Sequence, residues 1–233
     1  MRNREHISFR REETFHAAPH RLDDVLVDEG HEAAVRREDV ATGVYLLHRV
    51  MTQRECKRLI AAAEAIGFSH AGLAIGNDTY RVNLAVRNNL RVVLDAPPLA
   101  LALWARIREH VDARHEAASL KGLNGRFRVY RYETGQRFFP HVDVRTKVPL
   151  GETRASLMIY LNEGFGGGET RFFEQKEKQS RRGAGRGRKF NNRVRFALRP
   201  APGSVVVFDH LLLHEGAEVT DGVKYAVRSD LVY

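Results

Sequence analysis

The stretch "RFRVYRYETGQRFFPHVD", residues 126–143, carries the pattern on which the fold prediction depends. Side chains at 126–132 alternate along the chain, which is the period of a β-strand with two different faces. Gly135 then marks a turn, and a second extended segment runs on to Asp143. Before Gly122 the sequence has helical periodicity, whereas after it short extended segments follow one another. The change of pattern places the β-rich part of the chain in its second half.

Five more segments after residue 143 have the composition of strands and are separated by Gly, Asn and Pro. They are "RASLMIYL" (154–161), "ETRFF" (169–173), "RVRFAL" (193–198), "SVVVFD" (204–209) and "VKYAVRSDLVY" (223–233). Seven short strands at this spacing are typical of an all-β sandwich or barrel. "VYLLHRV" (44–50) predicts one earlier strand.

Two amphipathic helices are predicted ahead of this β region. The first follows Thr52, which forms a capping box with Glu55, and it ends at Gly67. The second runs from about Pro98 to Arg114. Helices of this kind cover one face of a sheet, so the predicted fold class is mainly β with flanking helices.

Length and composition indicate one main domain. Residues 41–233 form this domain, and residues 1–40 are polar, weakly periodic and interpreted as an N-terminal extension of uncertain order. No run approaches the roughly 20 apolar residues of a membrane span, so no membrane association is expected. The first residues lack the apolar stretch of a secretory signal, and Cys56 is the single cysteine. A cytoplasmic location is therefore expected, while nothing in the sequence indicates the oligomeric state.

The net charge of +9 comes mostly from one segment. Residues 174–195 carry nine basic and two acidic side chains, and their Gly, Arg and Ser content predicts a mobile insertion between two strands. Such a segment can contact phosphates of nucleic acid, although Phe190 is the one aromatic within it that can stack on a base. It can equally be a solvated linker or a lid for an anionic substrate.

His141 and Asp143 form a His-x-Asp pair in an extended segment. Residues two apart on a strand point to the same side, so these side chains can hold one metal ion. His110 and Asp112 have the same spacing, but they lie in a predicted helix, where positions two apart point to nearly opposite sides. The geometry therefore favours the first pair.

A second histidine must come from elsewhere in the chain. His214, just past the valine-rich strand, is preferred, and His210, four residues earlier, is the competing candidate. Two histidines and one carboxylate form the ligand triad of non-haem Fe(II) oxygenases, which leaves three coordination positions open.

The last strand places Lys224 and Arg228 on one face. That face can be solvated, or it can point into the barrel and present a buried cation to an acidic ligand. The strands at 126–132 and 154–161 also put hydroxyl side chains on one face, including Tyr132 and Tyr160. If these faces converge, they form a polar pocket that binds a carboxylate.

At this point the motifs resemble a known family. "YRYETGQRFFPHVD", "IYLNEGFGGGETRFF" and "DHLLLHEGAEVTDGVKY" resemble the catalytic domain of prolyl-4-hydroxylase-type Fe(II)/2-oxoglutarate dioxygenases, in the order and spacing of that family. The similarity covers roughly residues 42–233 and is strongest from 126 onwards. It implies a double-stranded β-helix, a jelly-roll or cupin-like barrel with iron at its open end.

The resemblance also implies roles for individual residues. His141, Asp143 and His214 are implied as iron ligands and thus as the catalytic centre. Lys224 stands where the family holds the far carboxylate of 2-oxoglutarate, and Arg228 can share or take over that role. The residues implied to line the co-substrate pocket are Tyr132, Tyr160 and Thr170.

The implied function is an Fe(II)- and 2-oxoglutarate-dependent dioxygenase that also uses O2. It is expected to hydroxylate an aliphatic C–H bond of a peptidyl, amino-acid or other small-molecule substrate, with release of succinate and CO2. Two alternatives stay open: a nucleic-acid oxidative demethylase of the same chemistry, which the basic insertion would suit, and a non-catalytic cupin-like module that binds a metal or ligand.

Overall fold

The computed structural model describes residues 10–11, 34–76, 79–175 and 190–233. The helices in this part of the chain are α1 (Gln53–Ile66) and α2 (Pro97–Ile107), with a 3-10 turn at Arg108–His110. The strands are β1 (Arg10–Arg11), β2 (Arg36–Ala41), β3 (Val44–His48), β4 (Ser69–His70), β5 (Leu73–Gly76), β6 (Thr79–Arg81), β7 (Leu90–Asp95), β8 (Arg114–His115), β9 (Ala118–Ser119), β10 (Gly122–Leu123), β11 (Arg126–Tyr132), β12 (Phe138–His141), β13 (Lys147–Val148), β14 (Gly151–Tyr160), β15 (Gly166–Gly167), β16 (Thr170–Gln175), β17 (Phe190–Leu198), β18 (Val205–Asp209), β19 (His214–Gly216), β20 (Val219–Asp221) and β21 (Lys224–Val232).

Two antiparallel sheets form the body of the molecule. The large sheet has the strand order β2-β3-β18-β14-β21-β11-β7-β4, with β10 beside β21 and β13 beside β14. The small sheet has the order β12-β19-β16-β17. Neighbouring strands in both sheets are often far apart in sequence, so the fold depends on long-range pairing. The prediction of a mainly β protein with flanking helices is confirmed.

The large sheet separates two apolar layers, because successive residues of each strand face opposite sides. Leu157 and Ile159 of β14 face the helices, and they pack in one cluster with Leu59 of α1 and Leu103 of α2. Tyr160, the residue after Ile159, faces the small sheet, where it packs in the second cluster with Val206, Phe208 and Phe172. Burial of each such side chain stabilises the folded state by about 1.5–3 kcal/mol relative to leaving it exposed. This alternation therefore determines which face of the sheet packs against the helices.

The start and end of α1 follow the sequence prediction. The Thr52 side chain accepts from the backbone N–H of Glu55, and the Glu55 carboxylate accepts from the backbone N–H of Thr52. The same carboxylate is 2.8 Å from Arg106 of α2, which ties the two helices together. Gly67 ends α1 with a φ of 93°, a conformation that favours glycine.

Three boundaries differ from the sequence prediction. The helix α2 ends at Ile107 and not at residue 114. Strand β2 begins at Arg36 and pairs with β3, so ordered structure begins inside the predicted extension 1–40, most of which lies outside the described residues. Strands β16 and β17 extend to Gln175 and from Phe190, so both ends of the predicted insertion 174–195 are strand. Its centre, residues 176–189, lies outside the described residues.

Candidate metal centre

His141, Asp143 and His214 converge at one end of the small sheet. Antiparallel pairing of β12 with β19 places His141 directly opposite His214, and their ring centroids are 4.3 Å apart. Asp143 lies 3.8 Å from His141 Nε2 and 3.6 Å from His214 Nε2, measured to its two carboxylate oxygens. The candidate ligand atoms of the three side chains all lie within 4.8 Å of one another. A single ion can therefore reach all three.

The backbone makes this convergence possible in a way the strand pattern alone did not predict. Strand β12 ends at His141, so Asp143 lies beyond it and is not a second residue of the same strand. The backbone N–H of Asp143 donates to the carbonyl of His210 at 2.8 Å, which fixes its position. His210 thus supports the site through its backbone, while its imidazole lies elsewhere.

Hydrogen bonds orient both imidazoles. Nδ1 of His141 lies 2.8 Å from the carbonyl of Phe139, and Nδ1 of His214 lies 2.9 Å from the carbonyl of Leu212. A carbonyl can only accept, so each Nδ1 carries the proton and each Nε2 keeps its lone pair. Burial lowers the pKa of both histidines, which favours the neutral, metal-binding form.

The Asp143 carboxylate is held ionised. Ser156 Oγ donates to it at 2.5 Å, and Arg228 Nη1 donates to its other oxygen at 2.6 Å. Burial alone raises the pKa of Asp143, but Arg228 and the nearby histidines outweigh that effect and hold it well below its usual value. Each carboxylate oxygen therefore accepts from one donor and also lies within 3.8 Å of one histidine Nε2.

Arg228 belongs to a buried charge network behind the triad. Asp230 accepts from Arg228 at 2.9 Å and from Arg128 at 3.2 Å. His210 Nε2 is 3.2 Å from the same carboxylate, and the His210 side chain is fully buried. Of the two candidate histidines, the structure therefore brings His214 to Asp143 and places His210 beside Asp230.

Replacing Arg228 by methionine should destabilise the protein by about 3–5 kcal/mol, because it leaves two buried carboxylates without their shared cation. Urea denaturation of the metal-free protein measures this loss. Arg228→Lys should recover part of it, since lysine restores the charge but not the two parallel hydrogen bonds. A loss below 1 kcal/mol for Arg228→Met would show that Asp143 does not depend on this guanidinium.

The other predicted pocket residues surround Lys224. Lys224 is buried in β21, and its Nζ donates to the carbonyl of Gly168 at 2.7 Å. The same nitrogen is 5.3 Å from the ring centroids of both Tyr132 and Tyr160. Tyr160 in turn forms a hydrogen bond with Thr170. Burial lowers the pKa of Lys224 to about 8.

One cavity joins the two groups. Its walls include the three triad residues, Lys224 and Arg228. Lys224 and Arg228 are four residues apart on one strand face, which corresponds to about 13 Å. The solvated alternative for that face is therefore wrong, since both cations point into the molecule. The structure separates their surroundings: Lys224 lies among hydroxyl groups, and Arg228 is engaged with carboxylates.

Sequence comparison relates part of the chain to a known family. Residues 127–229 match the model of the 2OG-Fe(II) oxygenase superfamily. The matched segment contains all three candidate metal ligands, and the match supports an oxidoreductase that depends on Fe(II), 2-oxoglutarate and O2. No curated protein matches the chain in sequence.

Several solved prolyl hydroxylases have a similar fold. A Pseudomonas putida prolyl-4-hydroxylase is 17% identical with a TM-score of 0.50, covering 82% of this chain and 93% of that one. The viral collagen prolyl hydroxylase of Paramecium bursaria Chlorella virus-1, solved with 2-oxoglutarate, is 20% identical with a TM-score of 0.50, covering 86% and 96%. A Trichoplax adhaerens prolyl hydroxylase, solved with a hypoxia-inducible-factor peptide, is 14% identical with a TM-score of 0.61, covering 82% and 83%. At these identities the likeness establishes the double-stranded β-helix fold.

None of the helices in the described part of the chain is long and apolar enough to cross a membrane. A nucleic-acid partner finds no support, and the basic residues that suggested it lie largely outside the described ranges.

Sequence reasoning missed several polar residues around the cavity. Asp230 was assigned no role from the sequence, and it accepts from Arg228 at 2.9 Å. Arg87 and Arg91 are also buried, and both lie beside Tyr130 of the cavity wall. The signal for Arg91 was present, because it alternates with the apolar Val92 in β7, but arginine on a strand usually indicates a solvated face.

Proposed function

We propose that this oxygenase hydroxylates an aliphatic C–H bond of a peptidyl, amino-acid or other small-molecule substrate, releasing succinate and CO2. The observation that carries the proposal is the convergence of His141, Asp143 and His214 in the same cavity as the buried cation of Lys224. The peptide in the Trichoplax structure makes a peptidyl substrate one candidate.

The three triad side chains fit a divalent iron. Each imidazole presents an unprotonated Nε2, and the ionised carboxylate adds one negative charge, which is the two-histidine, one-carboxylate set that suits Fe(II). All three side chains line the same cavity as Lys224. His141, Asp143 and His214 are therefore proposed to hold the iron.

Lys224 is proposed to hold the far carboxylate of 2-oxoglutarate. It is a buried cation that donates a hydrogen bond to a neutral carbonyl, and no carboxylate among the described residues forms an ion pair with it. Tyr132, Tyr160 and Thr170 add hydroxyl groups around it. Arg228, by contrast, is assigned to Asp143 and Asp230.

Iron, when bound with 2-oxoglutarate and O2, supplies the oxidant that replaces a substrate C–H with C–OH while 2-oxoglutarate becomes succinate and CO2. The residues of the chain fix the ligand positions, anchor the dicarboxylate and exclude water. Ser156 and Arg228 keep Asp143 ionised and oriented. Neither imidazole has to move a proton, since both Nδ1 atoms stay bound to backbone carbonyls.

An anaerobic titration tests the proposal. Fe(II) followed by 2-oxoglutarate should produce the weak visible charge-transfer band that chelation gives, and admission of air should release succinate even without a substrate. A protein that binds both but forms no succinate would be a binding module and not an enzyme.

The pH dependence of co-substrate binding should follow Lys224. A lysine holds a carboxylate only when protonated, and burial lowers the pKa of Lys224 to about 8. The KM for 2-oxoglutarate should therefore be constant below this pH and rise as the pH increases beyond it. Steady-state succinate release between pH 6.5 and 9.5 measures the effect. A KM that is unchanged up to pH 9.5 would contradict it.

A further inference from the structure

Arg87 is a buried arginine that the proposed chemistry does not use. It lies just before β7 and is 5% exposed. Its Nε donates to Asn89 at 2.7 Å, but its Nη2 is buried and has no hydrogen-bond partner among the described residues. No carboxylate in the described part of the chain forms an ion pair with it. A buried, unsatisfied guanidinium nitrogen is costly, so its retention indicates a partner that arrives later.

The position of Arg87 relates it to the metal centre. Its guanidinium lies 4.2 Å from the ring centroid of Phe138 and 4.6 Å from that of Tyr130. Phe138 in turn stacks on His141, with ring centroids 3.5 Å apart. Tyr130 and Phe138 both line the cavity. Arg87 is therefore one aromatic ring away from a proposed iron ligand.

Further arginines surround Tyr130, which is part of the cavity wall. Arg91 is buried and lies directly opposite Tyr130 in the pairing of β7 with β11, so both face the same way. Arg128 and Arg228 lie one pleat further along. Burial raises the pKa of Tyr130, yet the four arginines together hold it below its usual value. The four guanidinium groups thus create a positive potential at the Tyr130 phenol.

The carboxylates of this region are already engaged. Asp143 and Asp230 accept from Arg228, and Asp230 also accepts from Arg128. 2-Oxoglutarate does not account for Arg87 either, because its two carboxylates are assigned to Lys224 and to the iron. The open group is a single nitrogen, which suits one oxygen of a carboxylate better than the three terminal oxygens of a phosphate.

We propose that Arg87 binds a carboxylate of the substrate to be oxidised, with Arg91 and Arg128 providing the positive surroundings. This inference rests on the proposed function and narrows it to substrates that carry a free acid. The acid can be the α-carboxylate of a free amino acid or a side-chain carboxylate of a peptide. In either case Arg87 acts as a specificity-determining residue and not as an iron or co-substrate ligand.

Matched acid and amide probes test the proposal. Free L-amino acids, their primary amides, and blocked peptides with and without an internal Asp or Glu are added to the Fe(II)- and 2-oxoglutarate-loaded protein. Anaerobic shifts of the charge-transfer band measure binding, and succinate release under air measures turnover. Acids should bind roughly ten to a hundred times more tightly than their neutral partners, the range expected for a charged hydrogen bond. The class of probe that shows the preference identifies the source of the carboxylate.

Variants connect the preference to Arg87. Arg87→Met keeps an apolar stem over the two rings and should erase the preference, whereas Arg87→Lys should retain part of it. Arg108→Met, at an exposed arginine outside the cavity, is the control and should keep the whole preference. The charge-transfer band without added probe shows whether each variant still chelates the co-substrate.

Three outcomes would overturn the inference. They are equal binding of acids and amides by the wild type, an acid preference that survives in Arg87→Met, and a loss in Arg87→Met confined to 2-oxoglutarate affinity. Succinate release without any probe is measured in parallel. If that release is absent, the proposed function itself fails; if it is present without an acid preference, the assignment of Arg87 alone fails.

Discussion

Replacing Asp143 by alanine should reduce succinate formation by a hundredfold or more. The change removes the one anionic ligand of the proposed metal set, which is a greater loss than that of an outer hydrogen-bond partner, for which about 10–100-fold is typical. His141→Ala should have a comparable effect. Succinate release under air, with saturating Fe(II) and 2-oxoglutarate, measures both variants.

The second His-x-Asp pair of the chain offers a matched control. Asp112 has the same spacing from His110, but it is half-exposed and pairs with Arg37. Asp112→Ala should therefore retain wild-type turnover. Full activity in Asp143→Ala and His141→Ala would disprove the assignment of these residues as metal ligands.

Replacing Lys224 by methionine should raise the KM for 2-oxoglutarate by roughly a hundredfold or more. Removal of one partner from a buried charge pair costs about 2–5 kcal/mol in binding. The variant should nevertheless be at least as stable as the wild type, because burial of the lysine cation is unfavourable. The expected combination is lower affinity without lower stability.

Two further variants define the role of Lys224. Lys224→Arg keeps the charge and should recover part of the affinity, whereas Lys57→Met, on an exposed face of α1, should change nothing. Equal KM values for Lys224→Met and wild type would show that another residue holds the co-substrate carboxylate. A parallel loss of stability and affinity would indicate a structural role for the lysine.

Much of the fold was predictable from local patterns. Alternation in β11, β14 and β21 correctly placed Tyr132, Tyr160 and Lys224 on one side of a sheet, because a strand has a fixed period of two. The capping box at Thr52 and the end of α1 at Gly67 are local signals as well, and both are confirmed. The His-x-Asp spacing selected the pair that converges with His214, although Asp143 lies beyond the strand.

Features that depend on distant partners were not predictable. From the alternation of its own strand, Arg228 is predicted to be a pocket residue. Its ion pair with Asp143 depends on the tertiary contact between β21 and the loop after β12, which the sequence does not indicate. The sequence favoured His214 over His210 without excluding His210, since both follow β18 within five residues. Only the pairing of β19 with β12 shows which of the two lies beside His141. Arg87 has no signal in its neighbourhood, because its surroundings come from β11 and β12.

The direct pairing of His141 with His214 has a consequence for folding. An ion bound by both imidazoles would join two points 73 residues apart in the chain, much as a disulfide closes a loop. A slip of one residue between β12 and β19 would turn one imidazole to the opposite face, so only the native register can be cross-linked in this way. Metal loading and strand alignment are thereby thermodynamically linked, and amide hydrogens of β12 and β19 should exchange more slowly in the metal-bound protein.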